Sequence, residues 1–542
     1  MKSWWALAAL ALAQFVMVLD QAVMNVSISQ LVEDFDTSVT TIQGVITLYS
    51  LVMAMFIITG AKVGDIIGRR RAFIVGLVIY AVGSGLTALA PSVLMLTLGW
   101  SVLEGVGAAL VFPALAALVA GNFEGRERVK AYAIIGGVAG AGIAVGPIIG
   151  GWATTVLTWR IVFVGEVVLV LAILALVRFV ADAQREGPKP SLDVVGAVLS
   201  SAGIGLIVLG ILQSSTWGLI QPKDSPAEPL GFSLTVFVIG AGVASLVAFV
   251  RWQRHRETSG KDPLVHLDLL SIATLRSGLA SLLSQNLILM GIFFVVPLYL
   301  QIVLGFDALE TGIRMLPVSI TMFIASALGA RLSLRFSVRS LVRAGLAIAA
   351  AAVLILLAVI DPELKGLGFA ISMALLGVGM GLLASQLGNV VQSSVDASGR
   401  SEAGGLQYTS QQLGSALGVA LIGAIVIAGL TANFLDNVED DPRVSDQVAA
   451  EVSAAVGDGV DFISLDQAAE ALEGTGLDAA TATAVVEDYA SAQLQALRTG
   501  LLVAAIIALL SLLFTSHLPW RRPQPPPALA GTAEATQGAI AP

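Results

Sequence analysis

The chain has 542 residues, 56% of them apolar and 12% charged, with a mean hydropathy of +0.88. Soluble proteins carry about 25% charged residues, so half of the usual polar coat is missing, and a nucleic-acid binder or a soluble enzyme is excluded. There is no cysteine, and the three histidines (His255, His266, His517) lie near predicted span edges, so no disulfide framework, thiolate site or zinc site can be assembled. No cofactor is expected.

Apolar runs long enough to cross about 30 Å of hydrocarbon recur along the whole chain. Fourteen helical spans are predicted, roughly 4–28, 41–61, 72–90, 93–120, 130–153, 160–180, 193–213, 232–250, 275–303, 311–330, 340–360, 366–388, 403–430 and 495–516. The first is read as a retained span rather than a signal peptide, because Asp20 and Asn25 interrupt it and no cleavage site leads into a soluble domain. An even number of spans puts both termini on one side. With that side cytoplasmic, about 23 of the 29 bases fall inside.

The spans group as six, two and six. Residues 1–181 form an N-terminal bundle, 182–263 two inserted helices with their linkers, and 264–430 with 495–516 a C-terminal bundle. Residues 431–494 hold 14 acids and one base, Arg443. Their pattern (Val444, Val448, Val452, Val456; Leu465, Ala469, Leu472) predicts amphipathic helices on the extracytoplasmic side. Such a segment either attracts cations or covers the outer mouth, or is simply a solvated face. The Pro-rich end, 517–542, is expected to be a disordered cytoplasmic tail.

In chain order, Asp20, Glu104 and Glu166 interrupt spans 1, 4 and 6, about 12, 17 and 9 Å from the outer ends at 1.5 Å per residue. An ionisable group there is costly and marks a functional site by default, unless a neighbouring amide or hydroxyl simply holds it. The turn Gly64-Asp65-Ile-Ile-Gly68-Arg69-Arg70-Arg71 joins spans 2 and 3. Its arginines suit a positive-inside anchor, but the acid and the two glycines suit a latch. A related turn, Gly329 to Arg339, follows span 10, a weak internal repeat of the kind found in secondary transporters.

Span 5 stacks Gly142, Gly146 and Gly150 in one column beside Pro147 and Gly151, where another helix can approach closely and the proline removes a backbone donor. Asn25, Ser101, Gln285, Asn286 and Gln301 either line a wet cavity or make interhelical hydrogen bonds.

These residues together resemble the major facilitator superfamily, specifically its fourteen-helix drug:proton antiporters. The resemblance rests on Leu19-Asp20 to Asn25, Asp65-Ile-Ile-Gly68-Arg69-Arg70, Gly146-Pro147-Ile-Ile-Gly150-Gly151 with Trp159-Arg160, and Pro297 to Gln301 leading to Gly312 to Pro317. It implies two six-helix bundles plus two inserted helices, in a monomer of a bacterial inner membrane. It also implies export of lipophilic, often cationic, small molecules against proton entry. Carried over, Asp20 is a proton-responsive acid. Asp65, Gly68, Arg69 and Arg70 belong to a cytoplasmic gate, and Gly146, Pro147 and Gly150 to a bend linked with antiport.

The chain also departs from the pattern. Ser101-Val-Leu-Glu104-Gly105 stands where the family has Arg-x-x-Gln-Gly, so the arginine of proton coupling is absent and an acid follows one turn later. Glu166 replaces a frequent Asn, and Ala61 the first glycine of the loop signature. Two other functions stay open at this point: a dedicated exporter of one endogenous lipid or secondary metabolite, and a non-transporting scaffold or sensor.

Overall fold

The computed structural model describes residues 2–123, 125–182, 191–396, 399–456, 459–473 and 477–520. The N-terminal bundle comprises α1 (Lys2–Val26), α2 (Val39–Ile67), α3 (Arg69–Ala88), α4 (Val93–Asn122), α5 (Gly125–Trp152) and α6 (Arg160–Phe179). The inserted pair is α7 (Val194–Trp217) and α8 (Leu234–Thr258). The second bundle opens with α9 (Ala273–Val303), α10 (Ala308–Leu332), α11 (Val338–Val359), α12 (Gly366–Ser393) and α13 (Arg400–Asp440). Two short helices follow, α14 (Asp446–Val456) and α15 (Leu465–Leu472), before α16 (Ala479–Ser511) closes it.

Thirteen of these helices are long and apolar enough to cross a membrane, or fourteen if α5, bent by 41°, is one span. The chain is a multi-pass membrane protein. For orientation, α14 and α15 mark the cap face, and the α2–α3 turn marks the opposite loop face.

The helices end where local chemistry stops them. Gly68 terminates α2 at φ +100, a conformation that glycine alone adopts at little cost. Ser38, Ser337 and Asp307 accept from backbone N–H groups at the starts of α2, α11 and α10, with a full capping box between Asp307 and Glu310.

Glycine seams set the packing within each bundle. Gly76 of α3 and Gly107 of α4 meet backbone to backbone, and Gly345 of α11 repeats this against Gly379 of α12. Both pairs, like the two related turns, recur about 270 residues apart. Each turn also clasps the end of the sixth helix of its own bundle. The Arg70 N–H donates to Asp182 (3.0 Å), while Arg339 Nε donates to the Leu518 carbonyl (3.0 Å).

The inserted pair does not stand apart. Val208 of α7 packs with Leu51 of α2 and with Ala416 and Ala420 of α13, so α7 covers the seam between the bundles.

One boundary differs from the sequence reading. The acidic segment does not leave the helix at 431: α13 continues to Asp440, and α16 begins at Ala479, well before 495. Leaving the apolar layer removes no backbone hydrogen bond, so neither helix has a reason to stop there. Within α15, Ala468 rather than Ala469 turns inward. The predicted tail from 521 onward and most of the 182–191 linker lie outside the described residues.

Candidate functional site

The three intramembrane acids converge. Asp20 on α1, Glu104 on α4 and Glu166 on α6 each contribute a carboxylate oxygen to a cluster whose atoms all lie within 4.8 Å of one another. All three side chains are buried.

The local fold of α4 makes this possible. Residues Thr97–Glu104 wind as a π-helix, which widens the turn and re-aims side chains, a distortion frequent at functional sites. It turns Trp100 toward α1, where its indole N–H donates to Asp20 Oδ1 (2.9 Å) and Oδ2 (3.1 Å). Tyr49 of α2 stacks on that indole at 4.8 Å. On the far side, Tyr80 (3.2 Å) and Ser84 (2.9 Å) of α3 donate to Glu166 Oε2, and the Thr87 hydroxyl lies 3.3 Å from Glu104 Oε1. Gly83 provides the room: a Cβ there would sit 2.6 Å from the Glu104 side chain.

Two oxygens, Glu104 Oε2 and Glu166 Oε1, are buried without a hydrogen-bond partner. Among the described residues no Lys, Arg or His pairs with any of the three acids. Three carboxylates this close in an apolar bundle would repel strongly if all were charged, so neutralising one of them would relieve the cluster.

Ser101, at the position of the absent arginine, donates to the Val45 carbonyl (2.7 Å) and ties α4 to α2. Asn25 donates to the Gln21 carbonyl of its own helix (2.8 Å). Sequence reasoning missed Trp100, Tyr80, Ser84 and Thr87. The one visible signal was Tyr80, an aromatic placed mid-span, away from the interfacial belt where Trp and Tyr concentrate.

A sequence model of the Major Facilitator Superfamily matches residues 10–419. The chain belongs to that superfamily. It is 32% identical to the puromycin resistance protein pur8 of Streptomyces alboniger over 77% of this chain and 80% of that relative. Identity to the multidrug efflux pump LfrA of Mycolicibacterium smegmatis is 30%, over 77% and 79% of the two chains. The probable actinorhodin transporter of Streptomyces coelicolor is also 30% identical, over 77% and 71%. Among solved structures, a bacterial homolog of the human lysosomal transporter Spinster, inward-facing and unoccupied, superposes with a TM-score of 0.60 at 16% identity. That match covers 95% of this chain and 97% of the other, and it is a likeness of fold.

In this facilitator the glycine column of α5 faces α1. A Cβ at Gly142 would meet Val18 at 3.2 Å, one at Gly146 would collide with Ala22, and one at Gly150 would touch Val23 at 3.0 Å. On its other side α5 meets the second bundle, with Gly151 against the Ala308 backbone and Gly312 against the Pro147 carbonyl. Pro147 has no N–H for the Ile143 carbonyl, four residues earlier. That carbonyl is taken up across the seam by the Ser319 hydroxyl of α10 at 3.3 Å.

Further bonds join the halves toward the cap face. Gln301 Nε2 donates to the Val26 carbonyl (3.0 Å), and Gln43 Nε2 donates to the Val419 carbonyl (2.9 Å). Gln21, one residue after the cluster's Asp20, donates to Gln412 of α13 at 2.9 Å. The remaining amides act inside the second bundle: Gln285 donates to the Met380 carbonyl (3.3 Å), and Asn286 to the Leu282 carbonyl of its own helix (3.0 Å).

At the loop face Asp65 pairs with Arg69, whose guanidinium also donates to the Ala61 carbonyl (3.1 Å). Close by, Lys62 pairs with Asp262 (2.9 Å) of the linker that leads into α9, a contact the sequence did not single out.

Proposed function

We propose that this facilitator is a proton-driven exporter of lipophilic, cationic small molecules, working as a monomer in a bacterial inner membrane with both termini cytoplasmic and the cap outside. The carrying observation is the buried cluster of Asp20, Glu104 and Glu166, with oxygens within 4.8 Å and, among the described residues, no base paired with them. Relatives that the chain covers over more than two thirds of their length include a multidrug efflux pump and a puromycin resistance protein, which supports small-molecule export.

Protons suit the cluster better than a metal ion. The Trp100 indole N–H is a donor and occupies both Asp20 oxygens, whereas a hard cation needs acceptor oxygens around it. A proton entering from the cap side neutralises part of the cluster. This changes the packing of α1 against α4 and α6, and α1 carries Gln21 to the seam. Transport requires that proton and substrate favour opposite conformations.

The test is movement of a lipophilic cationic dye in proteoliposomes under an imposed pH gradient, for the wild type, Asp20→Asn and Glu104→Gln. Gradient-driven movement in the wild type, lost in either variant while the fold is kept, is the expected result. A wild type that ignores the pH gradient, or follows a sodium gradient instead, refutes proton antiport.

A further inference from the structure

The cap frames a cavity lined by none of the residues of the acid cluster. The cap-side ends of α13 and α16 and the two short helices α14 and α15 surround a space of about 380 Å³. Its walls include Phe434, Val452, Ala468, Leu472, Val485 and Tyr489, and Phe434 and Tyr489 meet edge to face at 5.5 Å. This volume lies within the range of small-molecule sites, and an apolar hollow of that size is costly to leave wet.

The charge around it is one-sided. The segment 431–494 holds 14 acids and one base. That base, Arg443, is already held by Asp441 (2.7 Å) and Glu487 (2.6 Å). Glu451 stands among the lining residues, and the bond it accepts there, from Gln447 Nε2 (3.0 Å), comes from a neutral amide and not from a base.

We infer that the cap holds a second ligand site, for a lipophilic cation. Apolar and aromatic walls take the hydrophobic body, since aromatic faces attract cations, and Glu451 with the surrounding acids takes the charge. An anionic lipid or fatty acid would meet the same field with the wrong sign, and a neutral lipid would gain nothing from it. The site rests on the cavity and its charge, not on the transport reading.

The test uses the full-length purified protein and two ions of one shape and opposite charge, tetraphenylphosphonium and tetraphenylborate, in equilibrium binding without any gradient. Filling the cavity with Ala468→Trp should remove a phosphonium site that Asp20→Asn leaves intact. Glu451→Gln should weaken that site by roughly two- to fivefold, the size of an exposed ion pair, and added salt should weaken it further. Borate should bind there at least tenfold less tightly. Should Ala468→Trp fail to fold, Glu451→Gln and the salt titration decide alone.

The inference fails if borate binds as well as phosphonium, if phosphonium binding ignores both substitutions, or if a co-purifying lipid leaves with Ala468→Trp. A wild type that shows the cap site but no gradient-driven transport would refute the proposed function and leave this site standing.

Discussion

Trp100 shows how much one side chain contributes to the cluster, because its indole N–H reaches both oxygens of Asp20 while its ring stacks on Tyr49. Trp100→Phe keeps the ring and removes the donor. A donor to a carboxylate favours the charged form. Its loss should therefore change the pH profile of gradient-driven exchange. The pH profile of dye transport in proteoliposomes checks this, and an unchanged profile would mean that Asp20 does not carry the transported proton. Asp20, Glu104 and Glu166 were legible in the sequence because charge inside an apolar run is conspicuous. Trp100, Tyr80, Ser84 and Thr87 were not, since no periodicity tells which way a side chain faces when a helix is apolar all round.

At the scale of elements, such contacts tie one helix to another across the bundles. Pro147 leaves the Ile143 carbonyl free within α5, and Ser319 of α10 takes it up at 3.3 Å. Ser319→Ala should cost on the order of 1 kcal/mol in the wild type. In a Pro147→Ala background it should cost almost nothing, because an alanine in place of the proline restores the internal donor. A double-mutant cycle on thermal stability in detergent measures the difference, and equal effects in both backgrounds would disconnect the two residues.

The connection between α1 and α2 offers a second case, outside the spans. Burial works to raise the Asp34 carboxyl, but hydrogen bonds from Gln30, Trp159 and Arg160, with the charge of Arg160, outweigh it and hold it below its ordinary value. A depressed carboxyl stabilises the fold above the unfolded carboxylate range, and that contribution is lost as pH falls through the folded value. Asp34→Asn should therefore lower the melting temperature near neutrality, with the gap from wild type closing below about pH 4, near the unfolded Asp value. A gap that stays constant with pH would show that the ion pair is not its source. The sequence marked Trp159 and Arg160 through resemblance alone, since their partner lies 125 and 126 residues away.

At the scale of the molecule, the two bundles close on each other toward the cap face through Gln301 and Val26, Gln43 and Val419, and Gly151 and Ala308. Alternating access requires these contacts to part. Because the chain has no cysteine of its own, Val26→Cys with Gln301→Cys gives an uncomplicated pair for a short, reducible thiol cross-linker. Cross-linking should abolish gradient-driven transport and reduction should restore it, and transport that survives complete cross-linking would refute separation at this point.

The sequence by itself determined the membrane class, the span positions to within a turn or two for most helices, the six-two-six grouping and the three buried acids. These follow from local quantities: apolar length, isolated charge, and glycine or proline at fixed spacing. Only the tertiary structure decided that the acids form one cluster and that α7 lies over the seam between the bundles. It alone showed that Ser319 serves the proline of another bundle, and that α13 and α16 run on past their predicted spans to build a cavity. Each of these depends on the rotation of one helix against another, which is set by the sum of many small packing contacts and leaves no periodic mark in the chain.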